Sequence, residues 1–385
     1  MIQTLLSKLQ GDRTIWAVVA LLGIISMLAV YSASSALTLK ASAGISNEYY
    51  LLRQAALLGF GFVIMFLAHR VNYSYYSRIA QLMLYISIPL LLITLLVGTN
   101  IHDARRWLTV PVLGISFQTS DLAKLALIMY TARMLSKKQH VIKNFDRAFL
   151  PIAIPMLTIC MLIVPADLST ASLLFFTCLI LMFIGRISLR HIGLTLWLGL
   201  SVLLFYVGIS SLTNSGRLTT WKSRIESFVN KTDEEDNYQV MQAKIAVANG
   251  GLIRFAPGKS YQRNFLPHPY SDFIYAIIIE EYGLLGGGVI VLLYLVFLYR
   301  SIRIFARSPG AFGALLAVGL SISLVIQAMM NMAVTVNLLP VTGLTLPFVS
   351  MGVTSLIFTS LAIGIILSVS RHIEEVEKNE ALNSL

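Results

Sequence analysis

Charge, cysteine and histidine are all scarce in this chain. Only 12% of its 385 residues are Asp, Glu, Lys or Arg, about half the share usual in soluble domains. An ordinary water-facing globule is therefore excluded. The two cysteines, Cys160 and Cys178, both fall in apolar stretches, which supports neither a disulfide framework nor a thiolate metal site. The six histidines (His69, His102, His140, His191, His268 and His372) show no metal-ligand spacing. A GxSxG nucleophile elbow and a Walker phosphate loop are both missing. The net charge of +11 has no soluble basic domain to sit on, so it does not read as nucleic-acid binding.

What the chain has in excess is apolar residues, 57% of the total. A run of roughly 17–25 apolar residues crosses a bilayer as a helix. Ten such spans are predicted, at about 14–34, 51–68, 79–98, 119–135, 148–165, 168–185, 190–210, 273–299, 311–336 and 345–370. The expected fold is an all-α polytopic membrane protein, one domain over residues 1–385. The first run follows two basic residues and precedes small ones, as a cleaved signal peptide would, but its length favours an uncleaved span. With the N-terminus inside, one side of the membrane collects Lys8, Arg13, Arg70, Arg78, Lys137, Lys138, Lys143, Arg147, Arg186, Arg190, Arg300, Arg303, Arg307, Arg371 and Lys378. The short loop near 335–344 on the other side has no basic residue. This asymmetry places both termini in the cytoplasm.

One connector is too long to be only a connector. Residues 211–271, between spans seven and eight, form a large extracytoplasmic loop with eight basic and five acidic residues. An anionic partner at the membrane surface and a solvated loop of mixed charge explain this balance equally well. Within it, Asp236 to Gln239 reads as a capped helix start. Val240, Met241, Ile245 and Ala248 then give a helical stripe ending at Asn249-Gly-Gly251. The expected element is a short amphipathic helix lying in the membrane interface.

Acids at membrane depth are costly and mark functional sites by default. Asp272 stands where the eighth span begins, and Glu280 and Glu281 lie inside that span. Asp272 has two compatible readings, an N-cap held by the helix dipole or an ionised proton acceptor. Asp121 and Lys124 share a face of the fourth span, and Asp167 is the other buried acid of that half. They form either a structural ion network or the lining of a cavity, with Lys124 offered to a diphosphate. Arg105, Arg106 and Trp107 precede the fourth span and suit either phosphate oxygens or lipid head groups. Leu339 to Phe348, with two prolines and a glycine in an apolar stretch, is either a plain loop or a broken element lining a cavity.

These residues together carry a pattern. Ala104-Arg-Arg-Trp107, Phe117 to Lys124, Asp167-Leu-Ser-Thr170, Tyr238-Gln239, Phe265 to Gly283, Gln327 with Asn331, and Leu339 to Ser350 resemble the motifs of the SEDS family (shape, elongation, division and sporulation). That group contains FtsW and RodA, and the resemblance runs closer to FtsW. It implies ten spans, the large loop between spans seven and eight, and a peptidoglycan glycosyltransferase that polymerises lipid II. It places Asp272 at the family's essential outer-loop aspartate. It also makes Arg105, Arg106, Asp121, Lys124, Asp167, Gln239 and Ser350 candidate substrate or cavity residues, to which Lys259 of the basic loop is added as a candidate cation for a diphosphate. Three positions depart from the usual pattern. Asp121 replaces Glu, Pro165-Ala-Asp-Leu-Ser-Thr170 replaces Gln-Pro-Asp-Leu-Gly-Thr, and Ser350-Met-Gly-Val-Thr-Ser355 lacks the usual tyrosine.

Chain growth needs a sugar hydroxyl to attack an anomeric carbon bearing a diphosphate. Because diphosphate leaves readily, one carboxylate base with cations for the departing charge suffices, unlike the two carboxylates of glycoside hydrolases. The resemblance implies lipid II and undecaprenyl-diphosphate as ligands. It also implies a class B penicillin-binding protein among other division or elongation membrane proteins as partner, and the bacterial cytoplasmic membrane as location. No cofactor is called for. A divalent cation (Mg2+ or Mn2+) is the one candidate, with no ligand set beyond Asp272. Two rival classes are a lipid II flippase, which would depend more on Lys124 and Asp167 than on Asp272, and a non-enzymatic division scaffold, which would need neither.

Overall fold

The computed structural model describes residues 10–40, 47–101, 104–110, 115–213, 218–230, 234–267 and 269–383. Twelve α-helices carry these residues, numbered here α1 (Arg13–Lys40), α2 (Asn47–Arg70), α3 (Tyr73–Val97), α4 (Thr119–Lys137), α5 (Leu150–Ile163), α6 (Leu168–Ile184), α7 (Leu189–Thr213), α8 (Leu218–Asn230), α9 (Glu234–Gly250), α10 (Ile274–Arg307), α11 (Ala311–Thr335) and α12 (Val353–Asn383). Among the described residues, eight helices are long and apolar enough to cross a membrane, α5 together with the turn of π-helix at Phe145–Phe149 that leads into it. Two predicted spans fall short on those grounds. The apolar α6 has 17 residues, and α4 carries Asp121, Lys124, Arg133 and Lys137. The protein is thus an all-α polytopic membrane protein in class, with eight spans evident from composition.

The two most enclosed spans are α11 and α12, whose small residues let neighbours approach closely. A Cβ added at Gly364 of α12 would stand 2.6 Å from the Met65 carbonyl oxygen of α2, so these two backbones are in direct contact. On α11, Gly319 faces Leu181 of α6 and Ile128 of α4. The lipid-like exterior falls to helices such as α7, with Trp197, Leu200, Leu204 and Phe205 exposed.

Sequence periodicity misses a small antiparallel sheet between α3 and α4. Its strands run β1 (Thr99–Ile101), β2 (Ala104–Val110) and β3 (Ile115–Gln118), in the order β1-β2-β3. Trp107 pairs with Thr99 on one side and with Gln118 on the other, and a bulge lies at Thr99–Asn100. This sheet fixes the direction in which Arg106 points.

The 211–271 loop contains two helices where one was expected. The first, α8, has no counterpart in the sequence reading. The second begins at Glu234, so Asp236 lies inside α9 and does not cap it. Its buried face is Ala243, Ala246 and Gly250, not the predicted Val240, Met241, Ile245 and Ala248 stripe, of which Met241 and Ala248 are exposed. Ala243 and Ala246 join Leu266, Phe273, Ala276 and Ile277 in a separate apolar cluster. Small residues let α9 lie directly on α10, so one of its faces packs on protein.

The eighth span is interrupted as well. Gly283 has φ +70° and ψ −177°, a region open in practice only to glycine, and it splits α10 into two helical pieces. The 251–256 segment fills the break. Leu284 N donates to Gly251 O at 3.0 Å, Leu285 N to Leu252 O at 3.2 Å, and Ala256 N to Glu281 O at 2.8 Å. A Cβ on residue 283 would meet Arg254 N and Leu252 O at 2.8 Å.

Candidate functional site

Asp272 does not cap α10. The capping position is Phe273, and no side chain closes the helix start. The Asp272 carboxylate is partly exposed and accepts a 2.8 Å hydrogen bond from Ser271 Oγ. Its neighbour across the gap is the 339–352 segment, where a Cβ added at Gly343 would stand 3.8 Å from Asp272 Oδ2. That segment holds the two prolines and the glycine noted in the sequence. It runs without regular structure up to α12, with φ +69° at Gly343 and +64° at Phe348.

Irregular backbone at this depth needs partners for its polar groups, and named side chains supply them. Ser350 Oγ donates to Ser271 O at 2.6 Å and accepts from Leu346 N at 2.9 Å. Met351 N donates to Tyr270 O at 3.0 Å. Asn331 Nδ2 donates both to Asp272 O at 2.9 Å and to Leu344 O at 2.7 Å. From the loop side, Arg224 of α8 donates to Val341 O at 3.2 Å. Burial pushes the Tyr270 hydroxyl up, and the nearby Tyr50 and Asp272 add to this while Arg53 of α2 offsets part of it. Tyr270 therefore keeps its proton at neutral pH.

A second polar group lies between α4, α6 and α11. Lys124 Nζ donates to Gln327 Oε1 at 2.8 Å and pairs with Asp121 Oδ1 at 3.4 Å. Asp121 is buried, and its second carboxylate oxygen has no hydrogen-bond partner among the described residues. Gln327 Nε2 in turn donates to Thr345 O at 3.0 Å. Gln327 and Asn331, four residues apart on one face of α11, thus tie Lys124 to the same segment that borders Asp272. The sequence reading gave these two residues no role. A polar pair at that spacing in an apolar helix was the available signal.

Asp167 is the N-cap of α6, accepting from Thr170 N at 3.1 Å. Its other oxygen pairs with Arg106 Nη1 at 3.1 Å, and Arg106 Nε donates to Ala166 O at 2.8 Å. Arg106 is thus turned inward onto an acid and is not held out for phosphate. The side chain of Arg105 lies outside the described residues, as does His268. Gln239 is half-buried near the start of α9, and Lys259 is exposed on the loop, with no ion pair among the described residues. The structure does not bring either into contact with Asp272.

Glu280 and Glu281 lie in the buried first piece of α10, where their job is visible. Glu280 accepts from Ser260 Oγ and from the amides of Tyr261 (3.2 Å) and Gln262 (3.2 Å). Glu281 accepts from Ser32 Oγ of α1 and from Ser260 N at 3.1 Å. Arg263 adds a 3.1 Å bond to Ser32 Oγ. These acids bind loop backbone, as anionic acceptors at interior sites must if their charge is to be kept. Among the described residues no group of three His, Cys, Asp or Glu side chains is placed to hold a metal ion. Asp272 with its lone carboxylate does not fit a dedicated divalent site.

The profile of the FtsW/RodA/SpoVE family, described as cell cycle proteins, matches residues 12–375. Stage V sporulation protein E of Bacillus subtilis (strain 168) is 34% identical over 372 residues, covering 95% of this chain and 98% of the relative. A probable peptidoglycan glycosyltransferase FtsW of Geobacter sulfurreducens is 33% identical over 371 residues, covering 94% and 96%. Among solved structures, one described as the structural coordination of polymerization and crosslinking by a peptidoglycan synthase complex is similar at TM-score 0.73 and 25% identity, covering 94% of this chain and 98% of that one. The rod shape determining protein RodA of Thermus thermophilus is similar at TM-score 0.67 and 25% identity, covering 94% and 97%. With a profile match across nearly its whole length and relatives above 30% identity over more than nine-tenths of it, this chain belongs to the FtsW/RodA/SpoVE family of cell cycle proteins.

Proposed function

We propose that this protein is a peptidoglycan glycosyltransferase that polymerises lipid II at the outer face of the bacterial cytoplasmic membrane, with Asp272 as general base. The observation that carries the reading is the placing of Asp272. It is a partly exposed acid, oriented by Ser271, on backbone that Asn331 and Ser350 pin to a broken intramembrane segment. Asp272 takes the proton of the acceptor sugar's 4-hydroxyl as its oxygen bonds to the anomeric carbon of the donor. The carbon–oxygen bond to the diphosphate breaks, and undecaprenyl-diphosphate departs with the electron pair. Lys259 and Arg105 are the proposed cations for that charge, with Gln239 as a further substrate contact. Arg106, Asp121, Lys124, Asp167 and Ser350 are assigned to bracing the site. A divalent cation is given no step.

The name of the Geobacter relative and the synthase-complex neighbour support this reading. The latter also supports a crosslinking partner, which we take to be a class B penicillin-binding protein. Ten spans with both termini cytoplasmic fit the ten helices α1–α7 and α10–α12. A flippase reading would want uncommitted charges at membrane depth, whereas Arg106 pairs with Asp167 and Lys124 with Asp121.

Purified protein given labelled lipid II tests the proposal. Asn is nearly isosteric with Asp and keeps the Ser271 contact, so Asp272→Asn should fold normally. It should lose polymerisation by about the 10²–10⁴-fold typical of a missing general base. Near-normal polymerisation by folded Asp272→Asn protein would reject the base. Its absence from the wild-type protein together with its partner would reject the activity.

A further inference from the structure

At the opposite end of α10 from Asp272, the start of α1 and the C-terminal parts of α10 and α12 border a polar cavity of about 490 Å3. Sites for small molecules span roughly 300–1,000 Å3. Arg300, Arg303 and Arg307 line it from α10, at a spacing of three and four that puts them on one helix face. Arg13 lines it from α1 and Lys378 from α12. Most of this charge is unanswered. Asp12 pairs with Arg300 at 2.6 Å, and its other oxygen accepts from the amides of Thr14 and Ile15. Glu374 accepts from Gly11 N at 2.9 Å. Arg13, Arg303, Arg307 and Lys378 have no side-chain hydrogen bond or ion pair among the described residues. Against these four cations stand exposed Glu377 and the second oxygen of Glu374. Residues 1–9 hold Lys8 and no acid, so the chain leading to the cavity adds no counter-charge.

A separate observation points the same way. Ser370 of α12 lines the cavity, is 6% exposed, and has no side-chain hydrogen-bond partner among the described residues. A buried hydroxyl is normally partnered, and the cavity it borders is where a partner would sit. A positive-inside bias would bring basic residues to this end of the molecule, and the dipole of α10 favours cations in its last turn. Neither effect gathers side chains of three helices around one void. Guanidinium forks match the oxygens of phosphate.

We propose that this cavity binds a phosphate-bearing anion, held by Arg13, Arg303, Arg307 and Lys378 with Ser370 as a hydroxyl donor. Basic pockets between membrane helices take lipid head groups, and a soluble phosphate presents the same oxygens. The site stands apart from the glycosyl transfer proposed for Asp272 and needs no assignment of sidedness.

The test reads the unfolding midpoint of the full-length protein in detergent against added ligand. The probes are phosphatidylglycerol in the micelle, with phosphatidylcholine as the neutral-lipid control, and sodium diphosphate against sodium chloride at equal ionic strength. The wild-type protein should respond to at least one of the two anionic probes. Arg303→Gln with Arg307→Gln should raise the half-saturating concentration of that probe by about tenfold or more, as a lost charge-assisted hydrogen bond would. Lys143→Gln with Arg147→Gln removes two exposed charges elsewhere and should leave it unchanged. A response to phosphatidylglycerol alone assigns the site to a lipid head group, and one to diphosphate alone assigns it to a soluble phosphate. Responses to both make the phosphate itself the recognised group. Arg13→Gln with Lys378→Gln repeats the comparison if the first variant folds poorly. A wild-type protein that answers neither probe would overturn the proposal. So would cavity variants that respond like wild type, or an equal loss in the Lys143→Gln, Arg147→Gln protein, which would reduce the effect to general surface charge.

Discussion

Lys124 serves two acceptors at once, the Asp121 carboxylate and the Gln327 amide oxygen. Removing it strands a buried acid whose other oxygen has no hydrogen-bond partner among the described residues. Lys124→Met should lower stability by roughly the 3–5 kcal/mol typical of a broken buried pair, read as a drop in the thermal unfolding midpoint in detergent. Adding Asp121→Asn removes the stranded charge, so the double variant should regain stability and polymerise lipid II. A stable but inactive double variant would make Lys124 a substrate contact instead. Asn331 is a sharper case, since one side-chain nitrogen serves the carbonyls of Asp272 and Leu344. Asn331→Ala leaves two acceptors without that donor, at about 1–3 kcal/mol for each one left buried and unpaired. Because the lost bond holds the backbone of Asp272, turnover should fall more than apparent substrate affinity. Equal wild-type and variant rates at saturating lipid II would remove Asn331 from any positioning role.

At the scale of elements, Gly283 makes the strongest demand. Its backbone conformation costs about 1–3 kcal/mol for a residue with a side chain, and the added Cβ would also strike the Arg254 amide and Leu252 carbonyl. Gly283→Ala should therefore displace the 251–256 segment, seen as faster amide exchange at Leu284, Leu285 and Ala256. Unchanged exchange there would mean that the break can form without glycine. The sequence made parts of this region legible and hid others. Asp272, the two glutamates and the Leu339–Phe348 prolines stood out because each is anomalous inside an apolar run. The break was hidden, because one glycine in a long apolar stretch is ordinary and its cause lies some thirty residues upstream. The α9 face was misread for a related reason. Ala243, Ala246 and Gly250 carry little hydrophobicity of their own, and their value is closeness to α10. Strands of three, seven and four residues give period-two patterns too little length to register, so the inward turn of Arg106 could not be foreseen.

For the whole molecule, the sidedness of the chain follows from where the polar features gather. Asp272, the 339–352 segment and helices α8 and α9 are joined by direct contacts, and the sheet's Arg106 binds the turn between α5 and α6. The Arg300–Asp12 pair joins α10 to the N-terminal end of α1, and Arg371 binds the last carbonyls of α2. Among the described residues these two sets share no hydrogen bond or ion pair, as opposite faces of a membrane would give. An odd number of crossings separates exposed Gln139, after α4, from exposed Lys259, before α10, if α5, α6 and α7 all cross. That parity can be tested although α6 is short, because skipping it would put both positions on the same side. An impermeant maleimide applied to intact spheroplasts should label Lys259→Cys and spare Gln139→Cys. Both should react once the membrane is opened. Labelling of Gln139→Cys from outside would make α6 a buried helix that does not span, and would move the basic loops 137–147 and 186–190 to opposite sides, against the rule that short basic loops stay in the cytoplasm.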